Sequence, residues 1–414
     1  MIKELIHEKI LSRCDEIDNW FKQKSVGLAF PFYSSFDLRD SGKKIAPVDA
    51  NIFPAGFNNI CPTDKESAPE VVKRYLQNHY PQVKSKIILL TEEHTSNAYY
   101  WENVSAIRDM LVSAGYEIEV SLPRELSNPI KVQSASGREL NVYGEKFIDG
   151  WLTAAGAKAE MIVCNNDFSN GYEEWASQLK TPMNPPKELG WYRRKKHHFF
   201  EQYNRLAGEF AELIELNKSY FQVETQGVSQ FDVDDAESRE RLAEKVDQFL
   251  SDLKIKYQAL GFDYEPFCFV KNDAGTYGLA VVQVQSGQEI LNWNNKARKK
   301  MKAAKGGNAV SDIIIQEGIP TVYKDSDGAS AEPCIYLIGN QLVGGFLRTH
   351  AEKGPLESLN SPGAVFKKLC MADLVADMPD CPMENVYGWA AKLGALAIAM
   401  EARAADVDFK GYKI

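Results

Sequence analysis

Phe269-Val270-Lys271-Asn272-Asp273-Ala274-Gly275-Thr276-Tyr277-Gly278 is the stretch on which the reading of the fold turns. It has the form of a strand ending in lysine, a short glycine-bearing loop and the start of a second strand. Such a loop can handle phosphates. Lys271 supplies a compact positive charge, and Gly275 and Gly278 let backbone N–H groups approach an anion with no Cβ in the way. The same letters also suit a glycine-rich β-hairpin turn. There is no Gly-Lys-Ser/Thr of a P-loop and no following His-Arg-Asp, so the stretch alone leaves both readings open.

What lies downstream favours phosphate. Strands are expected at 266–271, 278–285, 312–317, 333–338 and 341–347. Ile313-Ile314-Ile315-Gln316-Glu317-Gly318-Ile319-Pro320 is an apolar strand running into an acidic hinge, suited to an adenine edge and a ribose. Ile335 to Arg348 reads as a hairpin whose second strand delivers Arg348. The basic segment Asn294 to Gly307 reads as a helix plus a loop, and Asn385 to Ala405 as an Ala-rich helix.

Upstream, residues 3–25 carry a helical stripe through Ile6, Ile10, Cys14, Ile17 and Trp20. A polar, irregular segment follows, holding Ser35-Phe36-Asp37-Leu38-Arg39-Asp40 and Pro47 to Asn59. Lys86-Ile87-Ile88-Leu89-Leu90-Thr91 is an apolar run of the kind buried on both faces of a sheet. Tyr99 to Ala114 reads as a helix that stops at Gly115, and Tyr116 to Val120 as a second strand. Strand, helix, strand in so short a span is a βαβ unit and predicts a parallel sheet. Met161 to Asp167 repeats the apolar strand with a polar end, where ligands collect in open α/β sheets. Residues 198–260 are helix-rich, with a break near 226–229.

Composition bounds the alternatives. The chain has 414 residues, 44% hydrophobic and 25% charged, which predicts two or three packed domains rather than disorder. A net charge of -9 argues against a dedicated nucleic-acid partner, which requires a basic face. No run of 18 apolar residues suggests a membrane span, so a cytoplasmic protein is expected. The seven cysteines are scattered without a C-x-x-C pair, so neither disulfides nor a zinc site are expected.

The order of lysine strand, glycine loop, Gln-Glu hinge and late arginine resembles the ATP-grasp ligases. On that resemblance Lys271, Gly275, Thr276, Tyr277 and Gly278 hold and cover phosphates, and Gln316, Glu317 and Ile319 meet the nucleotide. Arg348, with Lys271, stabilises the transferring phosphoryl group. The family also uses Mg²⁺, and Glu332, Glu357 and Asn360 are the candidate ligands. The last two sit one residue further apart than the family's Glu-x-Asn, which it usually places last, and they are also good turn residues. The implied fold is mixed, α/β and α+β. An N-terminal parallel-sheet domain (1–200) is followed by an ATP-grasp catalytic module (201–414), with a lid at about 266–320.

The substrate end is less specific. Asp49, Asn51, Asn58 and Asn59, with Arg39 upstream, suit the two charged ends of an amino acid, or an ordered loop whose Asx residues bond their own backbone. Asn97 follows the 86–91 strand at a common ligand position. The run Tyr192 to His198 suits phosphates, substrate carboxylates or a solvated helix face. Blocks 35–40, 47–59, 269–278 and 344–350 together resemble the proteobacterial-type glutamate–cysteine ligase family, whose catalytic half is similar to glutathione synthetase. That resemblance implies ATP, L-glutamate and L-cysteine as small-molecule partners and γ-glutamyl phosphate as intermediate. Another amide ligase, or a nucleotide-binding protein without turnover, is the competing expectation.

Overall fold

The computed structural model describes residues 2–92, 96–148, 150–154, 157–169, 171–172, 174–274, 279–303, 310–376 and 383–414. The expected N-terminal helix is two helices, α1 (Ile2–Ser12) and α2 (Cys14–Ser25), parted at Arg13. They lead into β1 (Tyr33–Asp40) and β2 (Ile45–Asn51), which pair antiparallel. Here the expectation of an irregular segment fails. All eight residues of β1 are buried, Asp37 and Arg39 included. A strand buried on both faces with charged partners across the sheet shows neither alternation nor an apolar run, so its sequence reads as a loop.

After α3 (Pro62–His79) comes the predicted βαβ unit: β3 (Lys86–Leu90), α4 (Ala98–Ser113) and β4 (Glu117–Leu122). α4 ends where expected, with Gly115 at φ +100°, a backbone conformation costly for other residues. β5 (Ile130–Gln133), β6 (Glu139–Gly144), β7 (Met161–Cys164) and β8 (Met183–Asn184) complete a sheet of order β8-β7-β3-β4-β6-β5. Its strands are parallel except for β5 against β6.

The helix-rich stretch resolves into α5 (Lys196–Leu213) and α6 (Ala236–Leu260). The break between them is itself a strand, β9 (Thr225–Val228). β10 (Cys268–Asn272), β11 (Val281–Val284) and β12 (Ile313–Glu317) join it in a sheet of order β9-β12-β10-β11. The long hairpin β13 (Ser330–Ile338) and β14 (Gln341–His350) is followed by β15 (Val365–Leu369) and α7 (Val386–Ala404).

The hairpin forms the middle of the sheet β15-β14-β13-β1-β2. Strands from the first 51 residues therefore extend the sheet built by residues 330–369, so the division expected at residue 200 does not follow the sheets. α7, buried along nearly its whole length, packs on this sheet and on α5. Its small residues allow the close approach: a Cβ on Gly394 would come within 2.4 Å of the Phe36 ring.

The cysteine expectation is corrected too. Cys61 and Cys370 form a disulfide between residues 309 apart in sequence. Cys164, Cys268 and Cys334 are buried free thiols, as expected of small apolar residues. Among the described residues, no helix is long and apolar enough to cross a membrane.

Candidate active site

Where β1 and β2 meet β10 and β13, charged side chains gather around a cleft with about 620 Å³ of unfilled space, open to solvent. Asp37 and Arg39 of β1, Asp49 of β2, Lys196 at the start of α5, Lys271 of β10 and Glu332 of β13 line it. Phe269, Leu279, Val281 and Ile319 add apolar wall, and Ser358 and Asn360 come from the loop between β14 and β15.

Strand register explains the grouping. Asp37 faces Asp49 across β1 and β2, and Glu332 faces Arg348 across β13 and β14. Arg348 reaches Asp37 with both terminal nitrogens, at 2.6 and 3.2 Å, and Glu332 at 2.7 Å. Arg39 Nε lies 2.5 Å from the second oxygen of Glu332. A row of alternating charge thus crosses three neighbouring strands, and every member is buried. Each charge in such a row would be costly alone; together they satisfy one another.

These partners set the protonation states. Burial raises the carboxyl of Asp37, and repulsion from Glu332 and Asp49 adds to it against the pull of Arg348. Burial acts the same way on Glu332, but Arg39 and Arg348 outweigh it and hold the carboxyl below its ordinary range. Burial also opposes ionisation of Asp49, and the ammonium groups of Lys196 and Lys271 more than offset it. Lys271 is pushed down to about 8, chiefly by burial, with Lys196 and Arg39 adding repulsion and Asp49 opposing. It donates to the Val48 carbonyl at 3.2 Å and to the side-chain oxygen of Gln316. Lys196 pairs with Asp49.

The expected residues divide into two groups. Lys271, Arg39, Asp49, Glu332, Asn360 and Ile319 border the cleft, with Arg348 and Gln316 directly behind, bonded to lining groups. Gln316 keeps its side-chain N–H₂ buried with no partner among the described residues, a donor left for a ligand. Asn51 stands beside Asp49, 3.5 Å from its carboxylate. Gly275, Thr276, Tyr277 and Gly278 lie outside the described residues, between Asn272 and Leu279, which both line the cleft. Residues 93–95 and 304–309 also lie outside them.

The second group is elsewhere. The Glu317 carboxylate is wholly buried among Lys44, the Tyr257 hydroxyl (2.8 Å) and the Glu224 N–H (2.9 Å), so it joins β12 to the N-terminal hairpin rather than facing a ribose. The Glu357 carboxylate accepts from Lys353 and the Gly354 N–H, both at 2.8 Å, which is the capped-turn alternative. Asn97 caps α4 by accepting from Tyr99 and Tyr100 N–H. Asn58 bonds Asn59 at 3.0 Å, and Asn58 lines a different cavity with Lys65, Glu102 and Arg138. Arg39 is committed within the protein: besides Glu332 it donates to the carbonyls of Pro355 (3.2 Å) and Glu357 (2.8 Å). It fastens the loop bearing Ser358 and Asn360 instead of presenting a free guanidinium.

The sequence does not single out Asp37 or Ser358, and it offers Lys196 only within the run Tyr192 to His198. Asp37 stands two residues before Arg39 on one strand face, a signal visible once β1 is recognised as a strand. Lys196 was hidden in a basic run.

The arrangement suits ATP-driven activation of a carboxylate: cations for phosphates, carboxylates for a metal, apolar walls for a base. A family model described as "GshA: Glutamate-cysteine ligase" matches residues 7–402. Among solved structures, a candidate gamma-glutamylcysteine synthetase from Methylobacillus flagellatus KT is 31% identical, with TM-score 0.87 over 97% of this chain and 96% of that one. A D-alanyl-alanine synthetase A from Vibrio cholerae O1 biovar eltor str. N16961 is 10% identical with TM-score 0.34, over 78% of this chain and 81% of that one. That similarity carries no argument. A search of curated proteins finds no match.

Proposed function

Because the chain belongs to the glutamate–cysteine ligase family and is an ATP-dependent ligase of L-glutamate and L-cysteine, we propose that the cleft around Lys271 is where the γ-carboxylate of glutamate is phosphorylated. The observation that carries the reading is the convergence on one cleft of Lys271, Lys196 and Arg348 with Asp37, Asp49 and Glu332. These groups come from five strands and one helix, yet their charges meet.

Lys271 and Lys196 neutralise the phosphates of ATP, and Arg348 faces the charge that develops on the phosphoryl group in flight. Phe269, Val281 and Ile319 wall the nucleotide, and the free N–H₂ of Gln316 addresses its edge. The γ-carboxylate of glutamate attacks the γ-phosphorus and ADP leaves. The amine of cysteine then attacks the acyl carbon of γ-glutamyl phosphate and releases phosphate, the first step toward glutathione. Ser358 and Asn360, uncharged and delivered by the loop that Arg39 fastens, are placed to hydrogen-bond an amino-acid substrate. The protein's contribution is orientation and charge neutralisation, with no protein nucleophile.

The metal fits this donor set. Asp37, Asp49 and Glu332 are hard oxygen ligands, and Asn51 stands beside Asp49, the donor types magnesium takes together with phosphate oxygens. An acid-x-amide spacing, Asp49-Ala50-Asn51, is thus present on the N-terminal hairpin, while the Glu357 carboxylate is engaged in its own turn. When bound there, magnesium would neutralise phosphate charge. Asp37 and Asp49 would hold it, released from Arg348 and Lys196, which then face the phosphates.

The test is ADP release with pairs of amino acids. Glutamate with cysteine gives ADP and a γ-linked dipeptide. ADP release with a different pair and none with this one would overturn the assignment.

A further inference from the structure

Lys195, Lys196 and His197 begin α5, and each is tied to the strands that carry the phosphate site. The N–H of Lys196 donates to the Asp273 carbonyl at 2.7 Å. The N–H of His197 donates to one carboxylate oxygen of Asp273 at 3.0 Å, and His197 Nδ1 lies 2.5 Å from the other. Lys195 pairs with Asp312 at 2.7 Å, and Asp312 accepts the Asp273 N–H through its backbone at 3.1 Å. The helix has no cap of its own, since the Lys195 side chain makes none. Asp273, two residues after Lys271 and 2% exposed in its side chain, serves as the cap from another part of the chain.

We propose that the His197–Asp273 pair is a titratable joint that sets the spacing of Lys196 and Lys271, and so makes affinity for the triphosphate fall as His197 loses its proton. The proposal rests on the reading of both lysines as phosphate-binding groups. His197 and Asp273 are positioning residues. They do not line the cleft, but each is joined through one or two backbone bonds to a lysine that does.

The groups around His197 can be named element by element. From β10 it meets Asp273. From its own helix it meets Lys195, Glu201 and the His198 ring, whose centroid is 4.2 Å away. From β9, among the described residues, it faces the backbone at Gly227, where a Cβ would come 3.4 Å from the ring. The ion pair with Asp273 is the strongest of these contacts, and it raises the imidazole above its ordinary range against burial and Lys195. The sign follows. A group whose folded pKa is raised contributes fully at low pH and loses its contribution as pH rises through that raised value. The joint is therefore tight below that raised value and slackens as the pH rises through it.

The experiment is KM for ATP and kcat from pH 6 to 9 for the wild type, H197Q, D273N, K196A and K271A. D273N keeps an oxygen to accept the His197 N–H, so it removes the charge while retaining the cap, and a thermal melt of each variant verifies folding. In H197Q and D273N, KM for ATP is expected to rise roughly tenfold at low pH, the scale of one charged hydrogen bond, with kcat within about twofold. The gap to wild type closes as pH rises. Lys271, pushed down to about 8, titrates within the pH span measured, and the difference between wild-type and variant profiles removes its contribution. A KM profile of H197Q and D273N parallel to wild type, with K196A and K271A impaired, overturns the joint alone. ATP affinity unchanged in K196A and K271A overturns the phosphate reading, and the joint with it.

Discussion

Arg39 offers the sharpest division between two ways of reading one residue. If it bound the carboxylate of an amino-acid substrate, R39M would raise KM for that substrate and leave the fold intact. The structure assigns it a different task. Its Nε pairs with Glu332 at 2.5 Å, and its terminal nitrogens hold the carbonyls of Pro355 and Glu357. Removing one partner of a buried ion pair costs about 3–5 kcal/mol. Here Glu332 keeps Arg348 at 2.7 Å, which places the loss at the low end of that range. Each charge-assisted bond to a carbonyl is worth about 1.5–3 kcal/mol, but the released loop recovers much of that from water. A loss of about 3 kcal/mol in unfolding free energy is therefore expected for R39M by urea titration. Because the freed loop carries Ser358 and Asn360, kcat should fall about a hundredfold, as for a misplacement near 1 Å. KM for glutamate should change little. Unchanged stability with KM for glutamate raised tenfold or more would refute the reasoning and restore the substrate-binding role.

Lys271, at about 8 in the free protein, is half deprotonated there, and phosphate contact draws the proton back. ATP binding near pH 8 should thus take up about half a proton, read by calorimetry in two buffers of different ionisation enthalpy and abolished in K271M. E317Q should destabilise by about 3–5 kcal/mol by stranding Lys44 in the interior, while the double variant K44M/E317L recovers most of the loss in denaturant melts. C370S, compared with the oxidised wild type, should lose about 2–5 kcal/mol, the usual cost of removing a native disulfide, and reductant should erase the difference. For the metal, D49N should raise the magnesium concentration for half-maximal activity tenfold or more, with E357Q within twofold; equal effects would sink the assignment.

What could be read in advance follows from where each signal lies along the chain. β3, α4 and β4 were legible because Ile87 to Leu90 is an uninterrupted apolar run and Gly115 punctuates the helix. The gathering of Lys271 at the cleft and Arg348 directly behind it was legible from their order along the chain through the resemblance that order carries. β1 and β2 were not, because Asp37, Arg39 and Asp49 become compatible with burial only through Arg348, Glu332 and Lys196, each far away in sequence. The same distance hid the Cys61–Cys370 disulfide, which has no local spacing to betray it. Glu357 and Asn360 looked alike as letters. Only the turn geometry separates the carboxylate held by Gly354 from the amide at the cleft.

Transfer of isotope from the substrate tests the central claim most directly. L-Glutamate labelled with ¹⁸O in its γ-carboxylate is turned over with ATP and L-cysteine, and the released phosphate is analysed by mass. Attack of that carboxylate on the γ-phosphorus predicts one labelled oxygen in each phosphate formed, and none in ADP. Unlabelled phosphate, or label in a nucleotide product, would contradict it.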